Sequence, residues 1–560
     1  MARLSGGKAA VEALRANGVD TVFGLIGSAT MELFDALHDA PDIRFIGVRD
    51  ERTGTHMADG YARASGRAGV ILAGQNGPGV TNLVTGLAQA RAAYSPVVAL
   101  AGALASGHVQ RDAFQEVDQM ALFHPITKKT FHANAPARVP EMFNEAFRTA
   151  LSPRRGPVLV NLPRDVLAGE AEFDAILPSG VAKLGQGLRG DVTAIAEAAA
   201  LLRGARAPVV IAGAGLKTPE AQAALLAFAE TAGVPVAASP GHGDVMPFSH
   251  PLAAGQVGPR GNEVASRLAR EADVILALGT RLGFNSTFFS YDNLNRDAKI
   301  IHVEIEPTAL GRHFPAAVSI WGDAAAVVTE LRGLVGKCEG AAEWLNRFAT
   351  ERAAYREARD TITTGTQRPI SPETMFKAIR DSAPDDAMYT MDAGTLCLQA
   401  TERLNYHKVP ALFTPLDFGL VGFSFGCGLG VKVACPDRPV ISLHGDGGFG
   451  MSAAELATAV EHGINTVTIV MNNHCWGAEK AYQRDFFGGR YIGADITNPP
   501  FDKLAQLYGA HGIRVEEPGD LRDAIREALG CGKPAVLDVQ MDPDALYSFR
   551  RDSFAHRAKG

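Results

Sequence analysis

One segment of the 560-residue sequence has residue types suited to a phosphate and a hard cation. Pro439–Phe449 reads as an apolar strand running into Gly445-Asp446-Gly447-Gly448. Glycines let a backbone approach a phosphate closely, and an aspartate at such a turn offers a hard oxygen ligand. The next apolar run, Thr466–Met471, ends on Asn472-Asn473, where the Asn473 amide oxygen is a second ligand of the same kind. The pair suits Mg²⁺, because a diphosphate beside an aspartate would otherwise meet like charge. Taken alone, Gly-Asp-Gly reads more readily as a tight connection carrying a solvated aspartate, and only the second turn at this distance reverses that reading.

The elements between the two turns fix where they lie. Ser452-Ala453-Ala454-Glu455 has the pattern of a capping box opening a helix, and Gly463 is a suitable stop for it. Strand, turn, helix and strand then follow in order, which puts Asp446 and Asn473 at the carboxyl ends of parallel strands, the edge where open α/β sheets bind ligands. The same alternation of β-rich runs with Ala/Leu-rich stretches fills nearly the whole chain. The expected fold is α/β, with three doubly wound parallel-sheet domains at 1–180, 190–336 and 366–545, and a tail at 546–560. A linker is expected at Pro178–Gly190, and a connecting helix and loop at Gly340–Gly365.

Composition narrows the function classes. Hydrophobic residues at 46% and charged residues at 21% are ordinary for a globular protein. A net charge of −7 gives no electrostatic footprint for nucleic acid. No apolar run reaches the ~20 residues of a membrane span, and the first residues lack a secretory pattern. The six cysteines show no C-x-x-C or zinc spacing, so they read as small core residues of a cytoplasmic protein.

The Gly-Asp-Gly…Asn-Asn pattern, with its spacing, resembles that of thiamine-diphosphate-dependent enzymes. The resemblance implies thiamine diphosphate and Mg²⁺ as cofactors, with Asp446, Asn473 and the Cys475 carbonyl as metal ligands. It implies Gly445, Gly447, Gly448, Trp476 and Gly477 beside the diphosphate. Asp50-Glu51-Arg52 resembles the segment whose glutamate contacts the aminopyrimidine, and Gly77-Pro78-Gly79, with Asn82, resembles the family's Gly-Pro-Gly loop. Glu51 would hold a proton on the ring nitrogen. Leu416–Phe423 resembles the segment that bends the cofactor, with Val421 as the wedge and Gly419 as a carbonyl acceptor. Two residues depart from the commoner pattern: Asp50 stands where many relatives have His, and Val421 where acetolactate synthases usually have Met.

Within this superfamily the chain resembles the acetolactate-synthase-like group over its whole length, and most closely the sulfoacetaldehyde acetyltransferase branch. The segments that carry this are Ile26–Ala29, Gly74–Gly79, Trp476–Lys480 and Phe549–Asp552. Phe114-Gln115-Glu116 and Pro125–Lys128 resemble first-domain motifs of the wider group. The implied reaction converts sulfoacetaldehyde and inorganic phosphate to acetyl phosphate and sulfite, with carboligation or decarboxylation of a 2-oxo acid as the alternative. Ser28 and Gln115 join Glu51 as catalytic candidates. Gln75, Asn76, Lys128, Lys480, Arg550 and Arg551 are candidates for holding a sulfonate or phosphate. Leu104–Asp112 lacks the glycine-rich run of the acetyltransferases, and His474-Cys475 replaces their usual pair before Trp476.

A rival reading uses Ala212-Gly213-Ala214-Gly215 as a dinucleotide site in a regulatory protein, although a full G-x-G-x-x-G is absent. Relatives bind FAD or ADP in that domain, and some leave it empty. The family resemblance also implies a homodimer or homotetramer with active sites at the subunit interface, acting on a small carbonyl substrate.

Overall fold

The computed structural model describes residues 2–180, 187–361 and 368–548. The expected linker and connecting loop fall partly outside these residues, as do Arg550 and Arg551. The connecting helix is present as Ala342–Asp360.

A short antiparallel pair, β1 (Ala2–Ser5) and β8 (Glu170–Phe173), brackets the first sheet. That sheet comprises β2 (Thr21–Leu25), β3 (Arg44–Gly47), β4 (Gly69–Ala73), β5 (Val97–Ala103), β6 (Lys129–His132) and β7 (Val158–Pro163). Its order is β3-β2-β4-β5-β7-β6. The central sheet holds β9 (Pro208–Ala212), β10 (Val236–Ala238), β11 (Ala253–Gln256), β12 (Val274–Leu278), β13 (Lys299–Glu304) and β14 (Val318–Trp321), ordered β11-β10-β9-β12-β13-β14. The last sheet holds β15 (Met388–Met391), β16 (Leu412–Phe413), β17 (Val440–Gly445), β18 (Val467–Asn472), β19 (His511–Val515) and β20 (Ala535–Gln540), ordered β16-β15-β17-β18-β20-β19.

Every neighbouring pair within the three six-stranded sheets is parallel. The cause lies in the sequence: β5 and β12 are unbroken apolar runs buried at every residue, so both sheet faces must be covered by helices. The doubly wound α/β class is therefore the observed one. In the first and last sheets the strand order reverses at β2/β4 and β15/β17, and ligand crevices form at such switch points. The central sheet has the strand order of dinucleotide-binding folds.

The outer two domains pack through helices Glu51–Ser65 and Ser424–Ala434. Glycines set this distance. A Cβ on Gly60 would lie 2.2 Å from the Cys427 carbonyl oxygen, and one on Gly430 would lie 1.9 Å from that of Met57. The seam also overturns one expectation. Ser452 and Glu455 form no capping box, since the Ser452 side chain makes no capping hydrogen bond. Glu455 instead accepts from the backbone N–H groups of Arg49 and Asp50, at 3.0 Å each. Those donors follow β3 at the seam and need an acceptor there.

The central and last domains meet through Glu402, on helix Thr395–Arg403. Its carboxylate accepts from the Gln256 N–H at 2.8 Å and from Asn262 Nδ2 at 2.6 Å. Burial pushes the Glu402 carboxyl from 4.5 up to about 7. The folded state then holds this proton more tightly than the unfolded chain does. Its contribution to stability is complete below pH 4.5 and is lost as pH rises through 7. Glu402→Gln should flatten that loss, on the order of 2 kcal/mol after allowance for solvent contact. Thermal midpoints of variant and parent measured on both sides of neutrality check this, and parallel curves would contradict it.

Candidate active site

The Gly-Asp-Gly-Gly turn ends β17 at the switch point, and each residue after Gly445 has a steric or polar reason to be there. A Cβ on Gly447 would lie 2.5 Å from the Trp476 ring, and one on Gly448 would lie 2.4 Å from Asp392 Oδ2. Asp446 is buried, which pushes its carboxyl up to about 6 against the opposing hydrogen bond from Asn498. Asn473 follows β18 and is also buried.

One end of the Asn473 amide lies 3.2 Å from both Asp446 Oδ1 and the Cys475 carbonyl oxygen. With its nitrogen at that position the amide donates to both. With its oxygen there, three oxygens would meet, an arrangement that needs a divalent cation between them. A carboxylate, an amide and a carbonyl are the hard donor set that Mg²⁺ takes. His474, at φ +55°, turns the chain between Asn473 and Cys475.

Asp392, which sequence reasoning missed, ties this turn to the expected cofactor-bending segment. Fully buried at the end of β15, it accepts from the N–H groups of Ala393 at 2.8 Å, Gly422 at 2.9 Å and Phe423 at 3.3 Å. It also pairs with His444 Nδ1 at 3.0 Å. Val421 is therefore fixed against Gly448, with Val421 Cγ1 3.4 Å from where a Gly448 Cβ would be. The signal available in the sequence was Asp392-Ala393-Gly394-Thr395, an acidic strand end followed by glycine and a helix. Ala393, Gly394 and Thr395 line the same cavity as Asp446, Asn473, Trp476, Gly477, Gly419 and Val421.

That cavity, about 1140 Å³, continues into the central domain. There it is lined by Gly213–Gly215 and Gly279–Arg281 at the β9/β12 switch point, with Lys217, Arg260 and the buried Glu304 nearby. These residues could hold an anionic nucleotide. Arg281 Nη2 pairs with Asp417 Oδ1 at 3.1 Å, and Asn285 Nδ2 donates to the Leu416 carbonyl at 3.2 Å. The central domain thus grips the segment that carries Gly419 and Val421.

Glu51 lies elsewhere. It begins helix Glu51–Ser65, which Asp50 caps by accepting from the Arg52 N–H at 2.7 Å. Only 3% exposed, Glu51 accepts from Asn82 Nδ2 at 3.0 Å. A Cβ on Gly79 would lie 2.9 Å from Glu51 Oε1, so the Gly-Pro-Gly loop packs directly on the carboxylate. Burial raises the Glu51 pKa, with a smaller push from Asp50.

Four further candidates gather at the first domain's switch point. Gln75 Oε1 accepts from Ser28 N at 2.9 Å and from its Oγ at 3.0 Å. Gln75 Nε2 donates to Gln115 Oε1, and Asn76 Nδ2 donates to the Gln115 carbonyl at 3.1 Å. Gln115 is held at φ +63° in a loop organised by Glu116, whose carboxylate accepts from the Gln110 and Ala113 N–H groups. Neither this cluster nor Glu51, Gly77, Pro78 or Gly79 lines the cavity that holds Asp446.

Two of the cationic candidates are engaged elsewhere. Lys128 Nζ donates to the Ser152 carbonyl and hydroxyl, both at 2.9 Å, at the end of helix Val139–Leu151. Lys480 Nζ pairs with Asp495 Oδ1 at 2.6 Å.

Known proteins resemble this chain over nearly its whole length. The N-terminal TPP binding domain of thiamine pyrophosphate enzymes matches residues 4–122, the central domain 195–331 and the C-terminal TPP binding domain 392–539. A sulfoacetaldehyde acetyltransferase of Alcaligenes xylosoxydans is 35% identical, across 99% of this chain and 96% of the relative. A probable acetolactate synthase large subunit of Methanococcus aeolicus is 33% identical, across 97% and 93%. An acetolactate synthase of Mycobacterium bovis is 33% identical, across 97% and 89%.

Proposed function

Since the chain belongs to the thiamine pyrophosphate enzymes, we propose that it converts sulfoacetaldehyde and inorganic phosphate to acetyl phosphate and sulfite, using Mg²⁺-bound thiamine diphosphate. The observation that carries the cofactor reading is the convergence of Asp446 Oδ1, the Asn473 amide and the Cys475 carbonyl oxygen beside a glycine-lined turn. The substrate reading is supported by the full-length likeness to the acetyltransferase and by the cluster of Ser28, Gln75, Asn76 and Gln115. Neutral amide and hydroxyl donors suit sulfonate and phosphate oxygens.

When bound, thiamine diphosphate supplies a carbon nucleophile and an electron sink at the substrate carbonyl. This chain's own residues would do the rest. Asp446, Asn473 and Cys475 would hold the cation, and Trp476 and the glycines would shape the diphosphate bed. Val421 would prop the ring system, held by Asp392. Glu51, buried and accepting from Asn82, would hold and return a proton at the aminopyrimidine nitrogen.

In one chain the Glu51 half and the Asp446 half do not share a cavity. A second copy would bring the missing half to each cavity, so the working unit is a homodimer or a pair of dimers. Ile26, at 60% exposure, and Phe114, at 84%, flank the Glu51 half and are apolar surface for such a partner to cover. The basic central part of the cavity suits a nucleotide such as FAD or ADP. A cytoplasmic setting fits the five free cysteines among the described residues.

Product analysis tests the reaction. With thiamine diphosphate, Mg²⁺, sulfoacetaldehyde and phosphate, sulfite and acetyl phosphate should appear in equal amounts. Acetolactate or CO₂ from pyruvate, with no sulfite release, would assign carboligation or decarboxylation of a 2-oxo acid instead.

A further inference from the structure

Asp446 has two carboxylate oxygens, and the structure gives them different tasks. Oδ1 lies 3.2 Å from the end of the Asn473 amide, which lies equally close to the Cys475 carbonyl oxygen. Oδ2 accepts from Asn498 Nδ2 at 2.7 Å. The stretch carrying Asn498 is itself fastened to the turn that supplies the other two oxygens. Trp476 N donates to the Ala494 carbonyl at 2.7 Å, and Ile496 N donates to the His474 carbonyl at 3.0 Å. Cys475 and Asp495 form an antiparallel bridge between these contacts. Asp495 also pairs with Lys480 Nζ, which anchors the stretch to the following helix.

The consequence is geometric. A carboxylate free to rotate can offer a cation either oxygen, or both at once. A donor fixed on Oδ2 leaves Oδ1 as the single ligand, and one-oxygen carboxylate binding suits the octahedral demands of Mg²⁺. Ca²⁺ accepts two-oxygen carboxylates readily. Asn498 is a neutral donor, so it orients the carboxylate without removing the negative charge that draws the cation. Ligating carboxylates are commonly held this way by outer groups that never touch the metal.

We propose that Asn498 is a positioning residue for the cation site, and that its side chain, with the backbone of residues 494–496, forms the outer shell that sets the carboxylate and the carbonyl ligand. This rests on the Mg²⁺ reading given above.

The test uses the full-length protein with thiamine diphosphate and Mn²⁺, with free Mn²⁺ read by electron paramagnetic resonance. Asn498→Ala should weaken Mn²⁺ binding by ~10–100-fold, and competition should show Ca²⁺ losing less affinity than Mg²⁺. Thr497→Ala changes the exposed neighbour, whose side chain is outside the site, and should bind Mn²⁺ like the parent. If Asn498→Ala does not fold, Asn498→Ser, whose hydroxyl is too short to keep the 2.7 Å contact in place, takes the same measurement. Undiminished Mn²⁺ affinity in the Asn498 variant, or an equal loss in Thr497→Ala, would overturn the role of Asn498 while leaving the cation site standing. A parent protein that binds no Mn²⁺ with thiamine diphosphate would overturn the cation site and this inference together.

Discussion

Glu51→Gln should lower turnover by ~10²–10⁴-fold, the range lost when a positioned proton-transfer group is removed. Cofactor affinity should stay within a few-fold of the parent. Glutamine has nearly the shape of glutamate, and its carbonyl still accepts from Asn82 Nδ2, a contact of 3.0 Å in the parent. The close packing of Gly79 on this side chain leaves room for an isosteric amide but little else. What glutamine cannot do is hold and return a proton. Burial raises the Glu51 pKa, which brings the carboxyl nearer the working pH of such a relay. Exchange of the bound cofactor's C2 proton, followed by nuclear magnetic resonance, should slow in step with turnover. Parent-like exchange and turnover would take Glu51 out of the mechanism.

Asp446→Ala should abolish cation-dependent loading of thiamine diphosphate. It removes a direct ligand, so the loss should exceed the ~10–100-fold expected for an outer-shell residue. Misfolding is not the expected cause. Asp446 is buried, with its carboxyl pushed up to about 6, so its charge is a burden on the empty site rather than a prop for the fold. The variant without cofactor should therefore melt no lower than the parent at neutral pH. Calorimetric titration of thiamine diphosphate with and without Mg²⁺ measures the loading. Undiminished Mg²⁺-dependent binding would mean that the cation lies elsewhere.

The two variants separate the halves of the proposed site. Glu51→Gln should spare binding and stop chemistry, whereas Asp446→Ala should stop both. Mixing them gives a further check on assembly. If each active site takes Glu51 from one copy and Asp446 from the other, mixed dimers regain one intact site, and part of the activity should return.

Much of this architecture was legible because it depends on local rules. Unbroken apolar runs such as Val97–Ala103 are readable as strands covered on both faces, and glycines before and after Asp446 mark a close turn. The cluster of Ser28, Gln75, Asn76 and Gln115 was assembled from separate short segments, and the switch point at β2/β4 brings them together. Ser452 and Glu455 show the limit of local rules. Their spacing satisfies a helix cap, yet the nearest unpaired donors belong to Arg49 and Asp50, hundreds of residues earlier. Lys128 and Lys480 show it again. A cation in a promising segment binds whatever acceptor is nearest in space, here Ser152 and Asp495.

The sequence by itself determined the fold class and the oxygen-bearing residues at the strand ends, since apolar periodicity, glycine turns and residue types are properties of neighbouring residues. Only the tertiary structure decided which oxygens converge and what holds them. Asp392 and Asn498 reach across the chain to fix the Val421 segment and Asp446. Hydrogen bonds of about 3 Å depend on how sheets and loops meet, and that distance has no counterpart along the sequence.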